Sequence, residues 1–124
     1  MAAPVVHVEV RGLDEGALAA FYRDIFGWER NESLSIGSYS VAEIGAGDLT
    51  AATGPVPDWS ARSVTFYIQV DDIEETLQRI EAAGGARVMP RTVGPDFGSK
   101  HILVFTKFVD PAGNVVGLVE TPRS

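Results

Sequence analysis

The feature that most constrains this chain is an order of patterns stated twice. A β-patterned run gives way to a helical stripe, a glycine stop and further short β runs. After a proline-containing stretch the same order begins again. In the first pass Val5, Val6, Val8 and Val10 read as a strand, with His7 and Glu9 alternating out of it. Leu18, Phe21, Tyr22, Ile25 and Phe26 then recur at helical spacing over 14–26. Asp14 or Glu15 favours the start of that helix, and Gly27 suits its end. Short strands are predicted at 28–32, 36–45 and 49–53, with a tight turn at 45–48.

In the second pass Val64–Val70 is a β-branched and aromatic strand. Asp72 and Glu75 have capping-box spacing, Ile73, Leu77 and Ile80 form the buried stripe, and Gly84-Gly85 ends the helix. Strands are predicted at 87–93, 101–109 and 115–119. Laid over one another, the passes align Ala19 with Leu77, Tyr22 with Ile80 and Gly27 with Gly85. The repeat rests on the order of elements more than on shared letters. The expected fold class is α+β: two β-α-β-β-β (βαβββ) halves, residues 4–55 and 62–120, joined by a linker at 56–61 and able to share a curved sheet that encloses a cleft. A half of about 60 residues buries its own sheet poorly, so two must share one.

Composition narrows the function. The 124 residues carry 10 basic and 17 acidic side chains, a net charge of −7. Phosphate neutralisation needs the opposite sign, so no nucleic-acid partner is expected. There is no cysteine, which removes disulfides, thiol catalysis and thiolate metal sites. No apolar run reaches membrane-spanning length and no signal peptide is visible, so the expectation is a cytoplasmic protein without a membrane partner. The only histidines are His7 and His101, too few for a histidine-rich metal site.

Several motifs together carry a resemblance. They are His7-Val8-Glu9-Val10, Phe21-Tyr22-Arg23-Asp24-Ile25-Phe26-Gly27-Trp28, the strand from Val64 into Asp71-Asp72, and Asp110-Pro111-Ala112-Gly113-Asn114 running on to Glu120. With these the chain resembles the vicinal oxygen chelate superfamily, the glyoxalase/bleomycin-resistance/dioxygenase group, over nearly its whole length. The resemblance implies a homodimer and a cup that receives a small molecule. It also implies, in many members, a divalent metal held by His and Glu from four strands. Carried over position by position, the first ligand is His7. The second falls on Ala51, the third on Thr65 and the fourth on Gly117, none of which suits a metal. No cofactor is therefore expected.

The resemblance leaves two function classes. One is a metal-independent binding protein of the bleomycin-resistance type. The other is a lyase, isomerase or dioxygenase acting on a small carbonyl or vicinal-oxygen compound, metal-dependent or by acid–base chemistry, with His7 and Glu9 as the catalytic pair. A domain with no ligand is a third possibility. His7 and Glu9 share a strand face by their spacing. Thr65, Tyr67 and Gln69 alternate on one face of the fifth strand and, with His101 at the rim of a loop over 94–100, are the candidate ligand contacts. That loop is a candidate lid. Phe66, Ile68 and Val70 should pack on the helices. Phe21, Tyr22, Phe26 and Trp28 read as core rather than as a ligand cage, Asp71-Asp72 as a helix cap, and Lys107 and Glu120 as surface or interface residues.

Overall fold

A computed structural model describes residues 2–45, 49–56, 63–96 and 102–120. They form eight strands and two helices: β1 (Val5–Gly12), α1 (Glu15–Phe26), β2 (Ser40–Glu43), β3 (Thr50–Pro55), β4 (Ser63–Val70), α2 (Ile73–Ala82), β5 (Ala86–Arg87), β6 (Thr92–Asp96), β7 (Ile102–Val109) and β8 (Val115–Glu120). The chain divides into two compact units. One is Val6–Phe66; the other is Tyr67–Ser124 together with Met1–Val5. Among the described residues no helix is long and apolar enough to cross a membrane.

In the Val6–Phe66 unit β3 is central. It pairs in parallel with β1 and antiparallel with β2. Helix α1 lies against β3. Its start follows from Asp14, whose carboxylate accepts the Ala17 N–H at 3.0 Å. Its end follows from Gly27, in the left-handed region at φ 72°, where a side chain would be strained. The expected core stripe is only half sunk. Leu18 and Tyr22 are half-buried, but Phe21, Ile25 and Phe26 are 53%, 62% and 61% exposed. The stripe is wider than the face that rests on β3, so its flanks overhang. Tyr22 stacks on Trp28 with ring centroids 4.7 Å apart.

The expected strand at 28–32 is absent, and the one at 36–45 shortens to Ser40–Glu43. Turn chemistry overrides the β pattern there. The Asn31 side chain accepts both the N–H and the hydroxyl of Ser33, and Gly37 takes a positive φ of 53°. Gly54 and Pro55 belong to β3, so that strand runs on to the expected module end. The linker positions 57–61 and most of the 45–48 turn lie outside the described residues.

In the other unit β8 pairs in parallel with β4 through Tyr67–Val70 and antiparallel with β7. The expected strand at 87–93 is two strands, β5 and β6, each antiparallel to β7. Pro90 lies in the gap, and a proline cannot donate to a ladder. The buried Thr106 hydroxyl bridges the break by donating to the Met89 carbonyl at 2.9 Å. Strand β6 continues to Asp96, so Gly94 to Asp96 are not loop; 97–100 and His101 lie outside the described residues.

The core of this unit is Ile73, Leu77, Phe108, Val116 and Leu118, with Ile68, Val70 and Ile80 packed against it. Phe66, expected to join them, is 43% exposed. Helix α2 starts as expected: Asp72 accepts the Glu75 N–H at 3.0 Å. Asp72→Ala is expected to cost about 1 kcal/mol, as N-cap removals do. A shift in urea midpoint with unchanged slope would measure it.

Candidate functional site

Strand β1 turns His7, Glu9 and Arg11 to one face by simple alternation. Its partner β3 opposes them with Thr50, Ala52 and Gly54 in register. Ala52 and Gly54 are small, and that leaves room above the sheet. Tyr39, just before β2, fills it. A Cβ on Gly54 would come within 2.9 Å of the Tyr39 ring, so glycine is needed for the ring to lie there. The Arg11 guanidinium sits 5.6 Å from the centroid of the same ring.

These side chains form one hydrogen-bonded path. His7 Nδ1 lies 2.6 Å from Thr50 Oγ1, and His7 Nε2 lies 2.9 Å from the Tyr39 hydroxyl. That hydroxyl is 2.8 Å from Glu9 Oε2, and Arg11 Nε donates to Glu9 Oε1 at 2.8 Å. Arg11 also donates to the Pro55 carbonyl at 2.7 Å. Glu9 is only 2% exposed, and its two carboxylate oxygens accept from Arg11 Nε and from the Tyr39 hydroxyl. The single phenol hydrogen of Tyr39 then goes to Glu9, and Tyr39 accepts from His7 Nε2–H. This tautomer leaves Nδ1 as the acceptor for the Thr50 hydroxyl.

Burial pushes the His7 pKa down to about 4, an effect the Glu9 carboxylate partly offsets. Free histidine titrates near 6.5, so the unfolded chain takes up this proton first. Stability should be full above about pH 6.5, fall as pH drops towards 4 and level off below. The loss from this group is about 3 kcal/mol. Urea titrations at about pH 7.5 and pH 4.5 should show it as a steep decline that is shallower in His7→Gln. Equal declines in both proteins would reject it.

The structure brings His7 and Glu9 together as expected, but bridged through Tyr39. Sequence reasoning missed Tyr39, Thr50 and Arg11. Alternation from His7 and Glu9 could have found Arg11. Nothing local to Tyr39 or Thr50 signals their part.

The register also corrects the second metal position. Ala51 pairs with Val8 and so points to the face opposite His7; on the His7 side β3 presents Thr50 and Ala52. Position 117 is closed for a different reason. Gly117 pairs with Tyr67, whose ring lies so close over it that a Cβ would fall among the ring carbons. Thr65 and Tyr67 are buried and Gln69 is half-buried. Among the described residues no group of three His, Asp or Glu side chains is placed to hold a metal ion. With both ring nitrogens of His7 already engaged, the side chains at these positions do not make a donor set for a divalent ion.

Glu120, expected at the surface or an interface, is instead enclosed within its own unit. It is buried at the end of β8, where it accepts two hydrogen bonds from Arg91, at 2.9 and 3.0 Å, and the Ile73 N–H at 3.0 Å. This ties the start of α2 to the sheet of its own unit. His101 and positions 97–100 of the candidate lid lie outside the described residues, and 94–96 belong to β6.

Residues 7–119 match the glyoxalase-like domain family. The mycobacterial protein CFP32 of Mycobacterium bovis, provisionally named a glyoxylase, is 29% identical over 123 residues. That alignment covers 94% of this chain but 45% of CFP32, so the chain spans about half the length of that relative. Methylmalonyl-CoA epimerase from Mycobacterium tuberculosis superposes with a TM-score of 0.68 at 15% identity, covering 96% of this chain and 88% of that one. A glyoxalase/bleomycin resistance protein/dioxygenase superfamily member from Vibrio splendidus gives 0.59 at 17%, covering 97% of this chain and all (100%) of the other. At such identities the likeness is one of fold.

Proposed function

The chain belongs to the glyoxalase-like domain family and has the glyoxalase/bleomycin-resistance fold, and from that premise we propose that it binds a small organic molecule without a divalent metal. The observation that carries this reading is the state of His7. At the one ligand position where the sequence retains a metal-binding side chain, both imidazole nitrogens are held by Thr50 and Tyr39. The ring closing over Gly117 supports it from another strand. In this reading the ligand contacts lie along β4 at Thr65, Tyr67 and Gln69, with His101 beyond the described residues. The resemblance adds a homodimer, which sedimentation velocity would measure.

The test is thermal unfolding of dialysed protein. Ni²⁺, Zn²⁺, Mn²⁺ and Fe²⁺ should leave the melting temperature unchanged. An aromatic or polycyclic ligand at one hundred times its Kd should stabilise by about 2.7 kcal/mol. A melting temperature that rises with metal, or a broad ligand panel with no shift, would overturn the reading.

A second reading, acid–base chemistry on a small carbonyl compound, is favoured by the path from His7 through Tyr39 to the Glu9 carboxylate. Turnover that survives His7→Ala unchanged would end it.

A further inference from the structure

We propose that Thr50 is an activated hydroxyl nucleophile, with His7 as its base, able to take an acyl group from an activated carboxylic ester. This goes beyond the binding reading and does not rest on it. The geometry is that of a nucleophile, a base and a group that orients the base. Thr50 Oγ1 is 2.6 Å from His7 Nδ1, and the hydrogen count above makes that nitrogen the acceptor. The opposite nitrogen is held at 2.9 Å by Tyr39, which is itself held by the Glu9 carboxylate at 2.8 Å. The negative charge therefore lies behind the imidazole, where it offsets part of the burial that disfavours the imidazolium formed as Thr50 gives up its proton. Thr50 is half-buried at the first position of β3, whereas Glu9 is fully enclosed. All of these groups lie within the Val6–Phe66 unit.

The step balances without an outside oxidant or cofactor. A bond forms between Thr50 Oγ1 and the acyl carbon, and the bond from that carbon to the leaving oxygen breaks. The hydroxyl proton passes to His7 Nδ1 and from there to the departing alkoxide or aryloxide. Water then adds to the acyl carbon and releases the carboxylic acid, restoring the Thr50 hydroxyl. Tyr39 is a positioning residue, since it acts on the reaction only through His7.

The probe is 4-nitrophenyl acetate, incubated near pH 7.5 with the whole chain. Nitrophenolate release and peptide mass mapping are the readouts. One acetyl group should map to Thr50. Thr50→Val should remove it and cut the release rate by about 100-fold, the usual scale of general-base assistance. Thr50→Ser should keep both, and Tyr39→Phe should shift the pH profile of acylation. Acetyl groups found only on lysines or the N-terminus, or a Thr50→Val protein that releases nitrophenolate like the parent, would overturn the proposal. If Thr50→Val does not fold, the map of the parent protein decides alone.

Discussion

Gly117→Glu, which puts a carboxylate at the fourth ligand position implied by the resemblance, should lower stability by more than about 5 kcal/mol. That is comparable with the whole stability of many domains. The position is buried, and the Tyr67 ring occupies the space any side chain would need. Overpacking of this kind costs roughly 1–3 kcal/mol, and a carboxylate stranded in the same place adds several more. Far-UV circular dichroism during urea denaturation would read the loss. Gly117→Ala should show the steric part alone, and removing the ring with Tyr67→Ala should recover some of the loss in the Glu variant. A Gly117→Glu protein with the parent's urea midpoint would mean the ring does not lie over the glycine.

Glu9→Leu should cost about 3–5 kcal/mol, the scale on which breaking a buried ion pair destabilises. The carboxylate is enclosed, and it is the acceptor for both Arg11 and Tyr39. Removing it takes the counter-charge from a guanidinium only 20% exposed and the carboxylate acceptor from the Tyr39 hydroxyl. Arg11→Leu in the same protein should recover a large part, because replacing a whole buried pair by apolar groups is often neutral. A double-mutant cycle measures the coupling. Strict additivity of the two losses would refute the pairing.

The two helices and their caps were readable because their signals are local. Asp14 and Asp72 stand one residue before their helices, and Gly27 stands just after the first. The strands were harder. Pro90 split an expected strand into β5 and β6, and the Asn31–Ser33 turn removed another. In both places a backbone constraint outweighed a run of suitable side chains. The α1 stripe was visible as a stripe, but how much of it is covered depends on how the helix rests on β3. Phe21 and Ile25 thus look like core in the sequence and are exposed in the fold.

The candidate site divides along the same line. The sequence by itself placed His7 and Glu9 on one strand face, and it left Gly117 and Thr65 at positions where a metal would need stronger donors. It also determined the two helices, most of the strands and the family resemblance, though not the missing strand at 28–32 or the break at Pro90, because periodicity, caps and turn motifs act over a few residues. Only the tertiary structure decided what His7 does. Thr50 and Tyr39 lie 43 and 32 positions away from it, and strand register brings them to its two nitrogens. Register likewise turned Ala51 to the other face and set the Tyr67 ring over Gly117. A one-residue slip in either pairing would reverse those outcomes, because successive side chains of a strand point to opposite faces of the sheet.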